Sequence, residues 1–150
     1  MAVADVLPNN KVHMEYLINC RSPRLKKALE IVVPRMMADL KISSKKKCLV
    51  ISVERDCKSL GLTIELEPVN GIMMVLKPSP RIKDVFLTLA HELVHVKQII
   101  SGKLKSDGDG NKVWNGKFFH KDTPYLEQPW ELQAYARQEL VMRKAVCNDD

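Results

Sequence analysis

The 150-residue chain lacks long hydrophobic runs and has few aromatic residues. Phe, Trp and Tyr together make up 5% of it, so Leu, Val, Ile and Met must supply most of a core. No apolar stretch approaches the roughly 20 residues of a membrane-spanning helix. Residues 1–11 show neither the charged start nor the apolar run of a secretory signal. These absences predict a cytoplasmic protein with no membrane partner.

The cysteines form no recognisable pattern. Cys20, Cys48, Cys57 and Cys147 contain no C-x-x-C pair, which excludes a zinc ribbon. Scattered cysteines in a chain without a predicted secretory signal are typical of free thiols in a reducing compartment.

Length and composition predict one globular domain, because the chain is 45% hydrophobic and 28% charged. The net charge of +6 leaves two interpretations open. One is a partner that carries negative charge, such as nucleic acid; the other is a basic solvent-exposed surface. Basicity alone is a weak sign of nucleic-acid binding.

The order of the elements predicts an α+β fold. Ser22-Pro23 is a helix-start signal, with Ser as N-cap and Pro in the first turn, and Ser79-Pro80 repeats it. Pro34 predicts a kink or a break into two shorter helices. The predicted elements are an N-terminal helix at about 22–41, a sheet at about 48–77 with strands at 48–53, 62–67 and 72–76, a helix at about 80–101, a loop or hairpin at about 103–126, and a C-terminal helix at about 129–146.

The most informative segment is His91-Glu92-Leu93-Val94-His95, an H-E-x-x-H motif inside the helix predicted at 80–101. Two histidines four residues apart lie on one helix face, where both can bind one Zn²⁺ ion. The glutamate beside the first histidine is then positioned to act as a general base. The motif therefore predicts a zinc site with His91 and His95 as ligands and Glu92 as the catalytic residue.

A catalytic zinc ion usually has three protein ligands, so a third must come from elsewhere in the chain. The extended metzincin motif is excluded because Gln98 and Ser101 occupy its glycine and third histidine positions. Glu131 is the favoured ligand, held in the first turn of the C-terminal helix by Trp130 and Leu132 packing in the core. His120 is its main rival. The other candidates are Asp107, Asp109, Asp122, Glu127 and Glu139.

These assignments predict peptide-bond hydrolysis. Glu92 takes the proton from a zinc-activated water and passes it to the leaving amine. The oxyanion that forms needs a further hydrogen-bond donor. His120, Tyr125 and Tyr135 are the candidates for that role.

The chain resembles small phage-type zincin metallopeptidases, of the SprT-like and minimal gluzincin kind. The resemblance rests on His91–Gln98, Trp114–Lys117 and Tyr125–Tyr135, with H-E-x-x-H and Pro129-Trp130-Glu131 as its specific parts. It implies a single-domain minimal zincin fold. A small antiparallel sheet then packs on the H-E-x-x-H helix, and a C-terminal helix carries the third ligand, Glu131.

The resemblance also implies that an edge strand aligns an extended protein or peptide substrate, and Met73–Leu76 is the predicted edge. SprT-like sequences would supply a histidine as third ligand. Gln133 stands where such sequences often have a second acidic residue, which weakens any supporting role at that position.

Two other functions are compatible with the sequence. One is a DNA-associated or partner-binding module of the SprT-like kind, in which the metal site is structural. The other is a latent peptidase whose cleft is covered by one of its own terminal segments.

Overall fold

The computed structural model describes residues 14–67 and 69–147. Residues 1–11, where no secretory signal is predicted, lie outside the described residues. So does Pro68, which stands between the second and third predicted strands. In chain order the elements are β1 (Glu15–Asn19), α1 (Pro23–Asp39), β2 (Cys48–Val53), β3 (Gly61–Leu66), β4 (Gly71–Leu76), α2 (Ile82–Ile100), β5 (Leu104–Ser106), β6 (Lys112–Trp114), β7 (Lys117–Phe119), one 3-10 turn (Tyr125–Glu127) and α3 (Pro129–Val146). The predicted α+β class is confirmed.

The two predicted helix starts have different outcomes. Ser22 caps α1, since its Oγ accepts a hydrogen bond from the backbone N–H of Leu25 at 3.2 Å, and α1 is one helix through Pro34. The start predicted at Ser79 is wrong. The Ser79 hydroxyl instead accepts from the N–H of Arg81 at 3.2 Å, so a turn precedes α2.

The main sheet has the strand order β1-β2-β4-β3. β1, β2 and β4 are parallel to one another, and only β3 runs antiparallel, in a hairpin with β4. The predicted all-antiparallel sheet is therefore wrong. α1 connects β1 to β2 as a crossover helix, and such a connection returns the chain in the same direction.

The predicted edge strand is also wrong. Met73–Leu76 lies in β4, which pairs with β2 on one side and β3 on the other. Among the described strands, the edges of this sheet are β1 and β3. β3 is the edge that lies beside α2 and its H-E-x-x-H motif.

One face of the sheet packs against the helices. Alternate residues of β2 and β4 are buried on that face, as expected for a sheet covered on one side. α2 contacts the sheet, α1 and α3, and so forms the centre of the domain. The largest fully buried hydrophobic side chains are Leu29, Val33, Met36, Ile42, Leu49, Ile51, Ile72, Met74, Leu76, Leu89 and Leu93.

A second, three-stranded sheet follows α2. Gly102, with φ of +81°, lets the chain turn out of α2 into β5. Asn115 and Gly116, both with positive φ, form the tight turn between β6 and β7. This sheet packs beside α2 through β5. It lies within the segment predicted as a loop or hairpin. Among the described residues, no helix has both the length and the hydropathy to cross a membrane.

Candidate metal centre

α2 presents His91 and His95 on the face that meets α3. The ring centroids are 4.9 Å apart, and the ring planes are at 82° to each other. Both residues are nearly buried, with 9% and 7% of their surfaces exposed. One helical turn separates them, so their side chains point in the same direction.

α3 contributes a carboxylate to the same point. Oε1 of Glu131 is 3.0 Å from Nε2 of His91 and 3.2 Å from Nε2 of His95. One oxygen therefore contacts the same nitrogen atom of each imidazole. The structure brings together the three residues favoured as metal ligands.

The position of Glu131 depends on the start of α3. Trp130 is 5% exposed, and its ring packs 5.3 Å from the Phe119 ring and 6.4 Å from the Trp114 ring. The second sheet thereby anchors the first turn of α3. Leu132 does not share this role, since it is 49% exposed on the opposite side of the helix, and the expectation that it packs in the core is wrong.

The outer nitrogen of each imidazole has a side-chain amide partner. Nδ1 of His91 is 2.7 Å from Oε1 of Gln138, and Nδ1 of His95 is 2.8 Å from Oε1 of Gln98. Nε2 of Gln98 donates to the Trp130 carbonyl, which can only accept, so the orientation of the Gln98 amide is fixed. An amide oxygen accepts from Nδ1–H, which leaves the Nε2 lone pair of a neutral imidazole directed at Glu131.

This donor set fits a divalent cation. When neither Nε2 carries a proton, two imidazole lone pairs converge on one carboxylate oxygen, each about 3 Å from it, and these acceptors repel one another unless a cation lies among them. Two histidines and one glutamate are a known ligand set for catalytic zinc. His91, Glu92 and His95 also offer ligand atoms within 4.8 Å of one another, a second group that can hold a metal ion.

Glu92 makes different side-chain contacts from Glu131. It follows His91 on α2 and is 6% exposed. Its Oε1 accepts a hydrogen bond of 2.6 Å from Oγ1 of Thr63, on the edge strand β3. Glu92 is therefore tied to the sheet, whereas Glu131 contacts both imidazoles from α3.

β3 can approach Glu92 this closely because residue 61 is glycine. A Cβ atom at Gly61 would lie 2.7 Å from Cγ2 of Thr88 and 2.9 Å from both Cγ and Oε2 of Glu92. Those distances are shorter than ordinary van der Waals contact, so any side chain there must displace its neighbours.

We expect Gly61→Ala to move the Glu92 carboxylate while His91, His95 and Glu131 keep their positions. A displacement near 1 Å at a reacting group can lower a turnover rate by roughly 100-fold. If Glu92 is the general base that the sequence predicts, steady-state kinetics on a peptide substrate should show a reduced kcat, while zinc content stays at the wild-type value. Gly71→Ala is the matched control, since its Cβ would meet only ordinary contacts, the closest at 3.5 Å from Leu66. Equal kcat values for the two variants would contradict this role of Gly61.

Burial and close contacts shift the pKa values of Glu92, Glu131 and His91. Burial raises the pKa of Glu92, and the Thr63 hydrogen bond opposes that rise. Burial would also raise the pKa of Glu131, but the contacts with His91 and His95 outweigh it and hold that pKa well below the ordinary value. Burial alone would lower the pKa of His91, yet its hydrogen bonds to Glu131 and Gln138 leave that pKa raised. Glu131 is thus held as a carboxylate, the form that binds a metal ion.

Two of the predicted stabilising residues are at the site. The hydroxyl of Tyr125 donates to Oε1 of Glu131 at 2.8 Å and lies 3.4 Å from the hydroxyl of Tyr135. The Tyr135 ring packs on His91 with centroids 4.8 Å apart. Burial, together with the contacts to Tyr135 and Glu131, raises the pKa of Tyr125, so its hydroxyl stays protonated and can donate.

His120 is placed elsewhere. It follows β7 with 59% of its side chain exposed, and its Nδ1 accepts from the backbone N–H of Asp122 at 3.1 Å. It is not among the described residues that line the cleft around the imidazoles. The remaining candidate ligands are exposed and likewise do not line the cleft: Asp107, Asp109, Asp122, Glu127 and Glu139.

Two cavities share lining residues at His91 and Glu92. The larger, about 540 Å³, extends between β3 and the second sheet, and its apolar lining includes Ile99, Leu104 and Trp130. The smaller, about 270 Å³, extends the other way and is lined partly by Leu60 and Leu87. His91 and Glu92 line both cavities, so the candidate metal centre lies between the two cavities, which together are called the groove.

Sequence reasoning assigned no role at this centre to five residues that lie around it. Gly61 and Thr63 come from β3, and Gln98, Gln133 and Gln138 form hydrogen bonds around the imidazoles or beside them. Gln98 alone had a local signal, since it is a polar residue one turn after His95 on a helix with a buried face.

Comparison with protein-family models, curated proteins and solved structures gives no significant match to this chain.

Proposed function

We propose that this protein is a zinc-dependent metallopeptidase that cleaves bonds within extended peptide chains. The observation that carries the proposal is the convergence of Glu131 Oε1 on Nε2 of both His91 and His95, with Glu92 beside them. The resemblance of these motifs to small zincins supports the same class.

We assign His91, His95 and Glu131 as the zinc ligands and Glu92 as the general base. Adjacent residues on a helix point about 100° apart, so Glu92 leaves α2 in a different direction from the two imidazoles, although its carboxylate also lies near them. Its hydrogen bond to Thr63 also turns one carboxylate oxygen toward β3. Two nitrogen ligands and one oxygen ligand suit zinc better than magnesium or calcium.

When bound, zinc lowers the pKa of a water molecule and polarises the substrate carbonyl. Glu92 then accepts the proton of that water and delivers it to the leaving amine. Burial raises the pKa of Glu92, which moves it toward the range in which one group can both accept and donate a proton. Thr63 keeps the carboxylate in place during both transfers.

The free edge of β3 can align the substrate. The N–H of Lys77 donates to the carbonyl of Leu60, and the alternating antiparallel pattern directs the backbone groups of Leu62 and Ile64 toward β4. The backbone groups of Thr63 and Glu65 therefore face the groove. An extended peptide that pairs with them passes directly over Glu92.

A cavity lies on either side of His91 and Glu92, which favours an endopeptidase over an enzyme that removes terminal residues. The larger cavity, with Ile99, Leu104 and Trp130, suits an apolar substrate side chain. Tyr125 and Tyr135 place hydroxyl donors near Glu131, where they can stabilise the oxyanion.

The test is hydrolysis of an unfolded protein whose two termini are chemically blocked. We expect internal fragments by mass spectrometry, with cuts next to apolar residues. A chelator should stop the reaction, and added Zn²⁺ should restore it, since the metal supplies the activated water. Intact substrate after incubation with the zinc-loaded protein would contradict the proposal.

The two alternatives remain predictions. DNA association rests on the net charge of +6, and it should weaken as salt is added but survive Glu92→Gln, unlike hydrolysis. Latency concerns the terminal segments, and residues 1–13 and 148–150 lie outside the described residues. Truncation at either end should raise hydrolysis if the latent form is correct.

A further inference from the structure

Gln98 connects the second histidine to the helix that carries Glu131. It is 2% exposed, and its Oε1 is 2.8 Å from Nδ1 of His95. Its Nε2 donates to the carbonyl of Trp130 at 3.0 Å and to Oε1 of Gln133 at 2.9 Å. Both amide hydrogens and the amide oxygen therefore have partners. Reversing the amide would lose two donated hydrogen bonds in the interior, so its orientation is fixed.

We propose that Gln98 is a positioning residue for the metal centre, acting on two ligands at once. It holds His95 in the tautomer with the proton on Nδ1, and it fixes the backbone of α3 at the residue before Glu131. The consequence for catalysis rests on the proposed function, but the positioning itself does not. Gln133 departs from the family pattern in a way that weakens the expected supporting role at that position, yet it completes the hydrogen bonds of Gln98.

The two sides of the His95 ring compete for one proton. On Nε2 the proton can bond to the Glu131 carboxylate, 3.2 Å away, which is a stronger acceptor than an amide oxygen. That tautomer would occupy the lone pair that a metal ion needs. Gln98 opposes it, because a bare Nδ1 would face the Oε1 lone pairs at 2.8 Å. Without Gln98 we expect the proton to move to Nε2.

The fixed backbone of α3 is the second part of the role. Trp130 immediately precedes Glu131, so a hydrogen bond to its carbonyl restrains where the Glu131 side chain begins. Gln138 provides a natural comparison. It contacts Nδ1 of His91 at 2.7 Å, but it belongs to α3 itself and makes no hydrogen bond to the Trp130 backbone.

The experiment compares the full-length wild type with Gln98→Met and Gln138→Met. Methionine is similar in size to glutamine and removes the amide donors and acceptor. Long-range ¹H–¹⁵N NMR of the metal-free proteins at alkaline pH reports which nitrogen of His95 carries the proton. Competition with a chromophoric chelator gives the dissociation constant for Zn²⁺, and circular dichroism confirms that each variant is folded.

We expect the Nδ1–H form of His95 in the wild type and in Gln138→Met, and the Nε2–H form in Gln98→Met. Zinc binding should weaken by roughly 10- to 100-fold in Gln98→Met, the range for losing an outer hydrogen-bonding partner. An Nε2–H signal in the wild type would overturn the proposal, and this holds even if the variant fails to fold. An unchanged tautomer and zinc affinity in folded Gln98→Met would overturn it as well. Absence of zinc binding by the wild type would instead refute the proposed function, while the tautomer still decides the role of Gln98.

Discussion

Glu92→Gln is expected to abolish peptide hydrolysis while zinc binding remains. The amide has nearly the same shape as the carboxylate and can still contact Thr63, so the local packing should persist. It cannot accept a proton from water, and a positioned general base contributes roughly 10²- to 10⁴-fold to a rate. Initial rates and metal content should be measured on the same zinc-loaded preparation.

The matched control is Glu139→Gln. This carboxylate lies on the exposed surface of α3, 67% exposed, where it pairs with Arg143. The same chemical change there should leave hydrolysis near the wild-type rate. If Glu92→Gln hydrolysed peptide as fast as Glu139→Gln, Glu92 would not be the base, and the mechanism proposed above would be wrong.

The features that the sequence revealed are those encoded locally. His91, Glu92 and His95 share one helix, so their geometry follows from the helical repeat alone. Glu131 could be predicted from the sequence for a related reason, because Pro129 marks the start of α3 and places Glu131 in its first turn. The hairpin of β3 and β4 was also correct, since its two strands are adjacent in the chain.

The features that sequence reasoning missed depend on contacts between distant segments. β1 is a strand of only five residues, and its pairing with β2 spans the whole of α1. Without β1, the sequence contains no sign that the sheet is largely parallel or that β2 covers the other side of β4, so the prediction of β4 as the edge strand is wrong. The role of Thr63 could not be predicted for the same reason. Its hydrogen bond to Glu92 can be expected only when β3 is known to be the edge strand beside α2.

Glu131→Gln should weaken zinc binding more than the loss of Gln98 does. The change removes the carboxylate charge that faces both Nε2 atoms and leaves a neutral amide at 3.0–3.2 Å from them. Loss of a direct ligand should exceed the roughly 10- to 100-fold penalty for losing an outer partner. Isothermal titration of Zn²⁺ into the metal-free protein measures the effect, and hydrolysis should fall in parallel.

His120→Ala is the companion variant, because it decides between the two predicted third ligands. His120 lies on an exposed segment outside the groove, so its removal should leave the zinc affinity unchanged. The reverse result, with zinc lost in His120→Ala and retained in Glu131→Gln, would require the segment after β7 to close over the imidazoles when metal binds. The carboxylate of Glu131 would then serve only as a hydrogen-bond partner of His91 and His95. The contacts of Glu131 with both Nε2 atoms favour the first outcome, since they place its oxygen where a shared cation would bind.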